Sequence, residues 1–237
     1  VNSGVTATID LAGHTLTGTG TGTGSVITVN SGGPLTLQDS SGSGKVTGGA
    51  IPEGANQSSW MLGAAVTVAG GTFEMEGGTI TGNDASHCDG VVNVSNGGTF
   101  TMTGGAISVN TGTGLNVTGS GSSATIGRGA AISENTVTTD GASGGGVHVI
   151  DSGSVTLNGG TISNNTVPEN GGGVFINGGT FTMNSGSITG NRAGTDGNGW
   201  GGGVYIMTGD GYTKEGAFIM KDGSITGNHA ASYGGGV

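Results

Sequence analysis

The chain has 237 residues, of which 58 are glycine and only 8% are charged, and its formal net charge is −10. Five lysine and arginine residues in total do not form a basic surface, which argues against nucleic acid and anionic membranes as partners. No apolar run approaches the roughly 20 residues that span a bilayer, so membrane insertion is not expected. The glycines have no Gly-X-Y period, which excludes collagen, and the recurrence of Val, Ile, Phe and Met argues against disorder.

The first part of the chain, residues 1–63, carries apolar residues in short alternating runs such as Ile9-Asp-Leu11 and Leu35-Thr-Leu37. Alternation of this kind is typical of strands with one buried face. We interpret residues 1–63 as irregular opening coils that lead into the regular repeats of residues 64–237, a coil being one turn of a solenoid.

The regular part repeats one phrase: two or three glycines, a Val/Ile strand, Gly-Gly, Phe-x-Met or Val-x-Leu, and finally Gly-x-Ile-x-x-Asn. Repetition at a period of 20–50 residues indicates a solenoid. An asparagine follows each repeat isoleucine by three residues. Stacked amides satisfy the backbone at a solenoid corner, so we expect a structural ladder of Asn83, Asn110, Asn135, Asn165, Asn191 and Asn228.

Alternation within one repeat predicts which side chains form the core. Val174, Ile176, Phe181, Met183 and Ile188 face inward on three short strands separated by glycine corners. Strands joined by such crossovers pair in parallel and are almost always right-handed. The fold class is therefore all-β, a right-handed parallel β-helix with three strands per coil, roughly eight coils and a narrow core. Residues 112–132 match the repeat poorly and are interpreted as a degenerate coil.

Several phrases resemble those of known repeats. Gly171-Gly-Gly-Val-Phe-Ile176, Phe181-Thr-Met-Asn184 and Gly186-Ser-Ile-Thr-Gly-Asn191 are similar to the repeats of large bacterial surface proteins with pectate-lyase-like β-helices, including polymorphic outer membrane protein and autotransporter passenger repeats. The opening Val5–Leu16 and Leu35–Ser41 segments resemble the start of such domains in Gram-positive gut bacteria. The resemblance implies adhesion or cell-surface architecture, outside the cell.

Two sets of side chains are candidate ligand-binding residues. His148, Phe175 and Tyr205 occupy one outward position in three consecutive coils, where their rings would stack about 5 Å apart. The segments after the asparagines vary most and are expected to form loops along one edge, where function concentrates on a rigid scaffold. In these loops, Trp200 and Tyr233 directly precede glycine corners in adjacent coils. The acidic candidates there are Asp196 and Glu169.

Asp84, His87, Cys88 and Asp89 lie close together in one such loop and include residue types that bind zinc. A zinc site normally requires a second cluster at a paired spacing, and the sequence contains none. The residues of the cluster are not themselves part of a Gly-x-Ser-x-Gly phrase or another nucleophile signature. We therefore predict no metal, no cofactor and no catalytic residue.

Three hypotheses follow for function. The first is a structural or adhesive rod of an exported bacterial cell-surface protein that binds carbohydrate or a host protein, with further coils of a longer chain continuing it. The second is a polysaccharide-active β-helix enzyme, a hydrolase or lyase, that uses loop carboxylates. The third is ice binding through threonine columns, which Glu74, Ala217 and Ile219 interrupt.

Overall fold

The computed structural model describes residues 1–19, 24–51, 62–87, 89–195, 197–207 and 215–237. All regular structure in these residues is β-strand, and the strands stack as a right-handed parallel β-helix of about seven turns. The described residues contain no helix long and apolar enough to cross a membrane.

The strands are short, and β16 and β19 are the longest because each turns one corner without a break. In chain order they are β1 (Ala7–Asp10), β2 (Thr15–Thr17), β3 (Ile27–Asn30), β4 (Pro34–Gln38), β5 (Lys45–Thr47), β6 (Gly63–Ala69), β7 (Thr72–Met75), β8 (Thr79–Ile80), β9 (Gly90–Ser95), β10 (Thr99–Met102), β11 (Ala106–Ser108), β12 (Leu115–Thr118), β13 (Ser123–Gly127), β14 (Ala131–Ser133), β15 (Val147–Ile150), β16 (Ser154–Ser163), β17 (Thr166–Val167), β18 (Val174–Asn177), β19 (Thr180–Thr189), β20 (Arg192–Ala193), β21 (Val204–Met207), β22 (Ala217–Met220), β23 (Ser224–Thr226) and β24 (His229–Ala230).

Three long parallel ladders run along the described part of the rod. The Val ladder is a seven-stranded sheet of β3, β6, β9, β12, β15, β18 and β21. The Phe ladder contains β1, β4, β7, β10, β13, β22 and the first halves of β16 and β19. The Ile ladder contains β2, β5, β8, β11, β14, β23 and the second halves of β16 and β19. The last two ladders form one 14-stranded sheet, because β16 and β19 belong to both.

The core consists of columns in which like side chains stack on like. Phe73 lies directly over Phe100 in the pairing of β7 with β10, and their ring centroids are 5.2 Å apart. The degenerate coil keeps this register, since Ala124 and Ile126 take the Phe and Met positions. Parallel in-register pairing brings the same repeat position of each coil together, and this explains the repetition of the sequence.

The six repeat asparagines form a hydrogen-bonded ladder along one corner. Asn165 is typical: its Nδ2 donates to Asn191 Oδ1 at 2.9 Å in the next coil and to the Ile132 carbonyl at 3.0 Å in the previous coil. Its Oδ1 accepts from the backbone N–H and the Nδ2 of Asn135 at 3.1 and 3.0 Å. Each interior amide therefore connects three coils. The members of the asparagine ladder are Asn83, Asn110, Asn135, Asn165, Asn191 and Asn228.

A left-handed residue precedes every asparagine of the ladder and turns its amide inward. Glycine, which adopts this conformation without strain, fills the position at three of the six corners. The position is held by Gly82, Val109, Glu134, Asn164, Gly190 and Gly227. Val109, with φ of 56°, is the β-branched member and is therefore strained.

The triple glycines lie against this ladder. A Cβ added to Gly173 would lie 2.5 Å from the Gly203 carbonyl oxygen, 2.8 Å from Ile188 Cγ2 and 2.9 Å from Asn191 Nδ2. Real Cβ atoms do not make such contacts, so any side chain here would push the coils apart. The Gly-Gly-Gly phrase is thus a packing requirement of the asparagine corner.

A fourth, short ladder follows the asparagines, where the sequence analysis expects only loops. Strands β17, β20 and β24 form a three-stranded sheet, and isolated parallel bridges continue it through earlier coils. Val137, Val167 and Ala193 form a small second core beneath it. The connections therefore begin as ordered strands and become irregular only afterwards.

Two carboxylates fasten the opening coils together. Asp39 accepts hydrogen bonds from the backbone N–H of Gly13 at 2.8 Å and of Gly44 at 2.6 Å. Asp10 accepts from the backbone N–H of Ser40 at 3.0 Å, and this bond is the main cause of a pKa lowered to about 2. The bonds to Gly13 and Ser40 join the first two coils, which have no asparagine at the ladder position.

The strain at Val109 predicts a stabilising substitution. Val109→Gly should raise the free energy of unfolding by about 1 kcal/mol, because glycine adopts positive φ freely and the Val109 side chain is exposed. Val109→Ala is the matched control, since it removes the same methyl groups but keeps most of the strain. Urea unfolding measures both variants. Equal stabilities of the two variants would contradict this account of the corner.

The asparagine ladder predicts that removal of one side-chain amide lowers the free energy of unfolding substantially. Asn191→Ala leaves the backbone N–H of Asn165 and the carbonyl of Ile162 without their partners, both in buried positions. We expect a loss of about 3 kcal/mol in the free energy of unfolding. Asn184→Ala, outside the ladder, is the control and should cost less than about 1 kcal/mol. Equal melting temperatures for the two variants would show that the ladder contributes no stability.

Candidate functional site

Three rings stack on the outer face of the Val ladder. His148, Phe175 and Tyr205 share one register position in β15, β18 and β21. The ring centroids of His148 and Phe175 are 4.9 Å apart, and those of Phe175 and Tyr205 are 5.6 Å apart. The expected column of rings is present.

The expectation that this column is an open face is wrong for Phe175, which is only 6% exposed. The glycine segments fold back over the outer face of the strands that follow them. A Cβ on Gly171 would lie 2.8 Å from Phe175 Cβ, and one on Gly201 would lie 2.7 Å from Tyr205 Cβ. The earlier members of the column are also buried: Thr67, Asn93 and Asn116. Most of the column is thus an interior layer between strands and connections.

Exposed aromatic surface lies instead along the edge formed by the late connections. Trp200 is 44% exposed and Tyr233 is 75% exposed, and a parallel backbone bridge joins these two residues in adjacent coils. Their expected juxtaposition is therefore confirmed. The Trp200 ring also lies 6.0 Å from the Tyr205 ring, which continues the buried column to the surface.

A hollow of about 160 Å³ lies beside Trp200. Glu169, Asn170, Asn198 and Gly199 form its other walls. Asn170 Oδ1 accepts a hydrogen bond from the Trp200 backbone N–H at 3.0 Å, which fixes the two connections to each other. Glu169 and Trp200 are among the residues expected from the sequence, whereas no sequence signal distinguishes Asn170 and Asn198 from other loop asparagines. Asp196 lies outside the described residues. We call the exposed surface of Glu169, Asn170, Trp200 and Tyr233 the aromatic edge.

A larger cavity opens where the connection between coils is shortest. Only Thr-Gly-Thr-Gly separates Asn110 from Leu115, whereas the connections on both sides are longer. The flanking connections meet across the gap, where Thr139 Oγ1 donates to the Ser86 carbonyl at 3.1 Å. We call the resulting cavity, of about 400 Å³, the cleft. Among its lining residues are Ser86, Asp89, Thr113, Thr139, His148 and Phe175.

Asp89 and His148, the titratable groups among the described lining residues, have shifted pKa values. Burial away from water raises the pKa of Asp89 to about 7 and lowers that of His148 to about 4. At neutral pH the imidazole is therefore uncharged, and the carboxyl is divided between its two protonation states. Such groups in a cleft are candidates for function.

The loop that supplies Asp89 also contains the residues considered above for zinc. Asp84 Oδ1 accepts hydrogen bonds from the N–H and the hydroxyl of Ser86 at 2.9 and 2.5 Å, which closes a local turn. Cys88 lies outside the described residues. Within the described ranges, no three His, Cys, Asp or Glu side chains are grouped in a way that could hold a metal ion.

The threonines considered for ice binding are in register on the Phe ladder. Thr99 and Thr101 pair with Ser123 and Thr125 in the next coil. These pairs belong to two columns, one through Thr99 and one through Thr101. Toward the start of the chain Glu74 interrupts the Thr101 column, and toward the end Ala217 and Ile219 terminate the Thr99 and Thr101 columns. The hydroxyl array is therefore confined to four coils.

Comparison of the chain with protein-family models, with curated proteins and with solved structures finds no match.

The shifted pKa values predict opposite effects on stability. Between about pH 4 and 7 folded Asp89 holds a proton that the unfolded chain has lost, so the free energy of unfolding falls as pH rises. His148 acts in the opposite sense between about pH 4 and 6.5, because the unfolded chain then holds the additional proton.

Single variants separate the two effects. The stability of Asp89→Asn relative to the parent protein should rise from about pH 4 to pH 8, and that of His148→Gln should fall over the same range. Urea unfolding at several pH values measures both differences. Parallel pH profiles for the parent and both variants would contradict the assigned burial of these groups.

Proposed function

We propose that the chain is part of an adhesive rod of an exported bacterial surface protein, and that it binds carbohydrate at the aromatic edge. The observation that carries the proposal is the exposure of Trp200 and Tyr233 side by side next to a polar hollow. Only 4% of the residues are aromatic, and exposed large rings that lie side by side are typical of a surface that contacts a ligand.

The chemistry of the aromatic edge suits a sugar better than an apolar partner. A pyranose ring places its C–H face on an aromatic ring and directs its hydroxyls sideways. Beside Trp200, Glu169 offers carboxylate acceptors, and the side chains of Asn170 and Asn198 offer amide donors and acceptors. Aromatic rings supply large contact area at small entropic cost, which favours them as binding anchors.

The rod itself supports the adhesive role over the enzymatic one. Hydrolysis of a glycosidic bond requires two carboxyl groups on either side of it, and Glu169 is the only carboxylate among the described residues that line the hollow. The acidic, lysine-poor composition and the resemblance of the repeats to bacterial surface proteins support a location outside the cell. Coils that differ mainly in their connections suit a scaffold that carries a binding surface.

Trp200→Ala tests this proposal. After a glycan array has identified a ligand, titration calorimetry should show affinity reduced by at least tenfold, because a central aromatic anchor contributes about 2 kcal/mol or more. Glu169→Gln should weaken binding less, since the amide keeps one acceptor. Val109→Ala, another exposed apolar truncation, should bind as the parent does.

Three outcomes contradict the proposal. The aromatic edge would not be a carbohydrate site if the protein bound no glycan on the array. The same would follow if Trp200→Ala bound an identified glycan with unchanged affinity. Release of reducing sugar from the ligand, lost in Glu169→Gln, would replace the adhesive function by an enzymatic one.

A further inference from the structure

The cleft is separate from the aromatic edge, and the inference drawn from it does not depend on the proposed function. None of the described residues lines both the cleft and the hollow beside Trp200. The cleft exists because the connection from Asn110 to Leu115 is too short to cover the outer face of its coil. The flanking connections meet across the gap through Thr139 and Ser86, and a half-open cavity lies between them.

Two threonine hydroxyls of the cleft are committed as donors and remain available as acceptors. Thr113 Oγ1 donates its proton to the Gly144 carbonyl at 2.7 Å, and Thr139 Oγ1 donates to the Ser86 carbonyl at 3.1 Å. A hydroxyl oxygen that has donated its one proton can still accept through its lone pairs. The carboxylate of Asp89 is likewise an acceptor when ionised. These three groups can therefore accept hydrogen bonds from an occupant of the cleft.

Among the described residues, no cation balances Asp89. Its carboxyl forms no ion pair or hydrogen bond with another of them, and no described lysine or arginine lines the cleft. The cleft also has apolar walls, which include Val137, Phe175 and Met207, and Asp89 is itself partly buried. A carboxylate that is partly removed from water and lacks a partner interacts strongly with any cation that enters.

We propose that the cleft binds a primary ammonium group on a short apolar chain, with Asp89 as its counter-ion. An ammonium group has three donors and no acceptor, which matches the acceptor groups of Asp89, Thr113 and Thr139. The methylene chain lies against the apolar walls, and the Phe175 ring supplies further attraction for a cation. A free amine and the lysine side chain of a partner protein share this chemistry.

The charge state of the cleft makes the binding pH-dependent. Desolvation keeps Asp89 protonated in part of the molecules at neutral pH, so the affinity for ammonium should rise as the pH passes through about 7. His148 faces the cleft as a neutral ring. The other titratable groups on the surrounding connections lie outside the lining: Asp84, His87 and Asp140.

Calorimetric titration with n-butylamine, and with n-butanol as an uncharged analogue of similar size, tests the proposal on the full chain at about pH 8. We expect butylammonium to bind at least tenfold more tightly than butanol, and its affinity to fall about tenfold at pH 6. Asp89→Asn should lose the preference for the amine. Asp140→Asn, a neighbouring carboxylate outside the lining, should keep it.

Nα-acetyl-lysine amide distinguishes the two sources of the group. Binding of this compound at least as tight as that of butylamine assigns the cleft to a partner's lysine, whereas binding of butylamine alone assigns it to a free amine. Equal affinity for butylamine and butanol, no binding of either, or an unchanged preference in Asp89→Asn would overturn the proposal. If Asp89→Asn does not fold, the pH dependence of the parent protein decides instead. An affinity for butylamine that is the same at pH 6 as at pH 8 would then overturn the proposal.

Discussion

The hydrogen bonding of one asparagine amide per coil, from Asn83 to Asn228, is the interaction on which the regular coils depend. Each interior amide accepts two N–H groups from the coil before it, donates to the coil after it, and donates back to an isoleucine carbonyl. Only a short primary amide provides this combination of donors and acceptors. The left-handed residue before the asparagine and the glycines packed against it are consequences of its inward position. In-register stacking of the core columns follows, because the ladder advances by one coil at a time.

The connections between coils are under fewer of these constraints, and both candidate sites arise there. A long connection after Asn191 carries Trp200 to the surface, and the short one after Asn110 leaves the cleft uncovered. The core is nearly the same in every coil, so connection length is the main variable that shapes the surface. A scaffold of this kind can change its ligands without changing its fold.

Much of the fold can be predicted from the repeat, because parallel stacking converts sequence period into spatial register. The asparagine positions, the core columns and the pairing of Trp200 with Tyr233 all follow from equal repeat positions. The burial of Phe175 does not follow: alternation shows which side of a strand a residue faces, but not what covers that side. The short ladder of β17, β20 and β24 has too few residues per strand to give a pattern. The cleft depends on one connection being shorter than its neighbours, and only the folded chain shows which groups then meet.

Amide hydrogen exchange measured by NMR tests the asparagine ladder most directly. The backbone N–H groups of Asn110, Asn135 and Asn165 each donate to the Oδ1 of the next coil. They should exchange as slowly as the strand amides of the core, through opening of whole coils, while the amides of Asp140 and Gly141 in a connection should exchange quickly. Exchange of the ladder amides at the rate of the connection amides would contradict the view that this ladder holds the coils together.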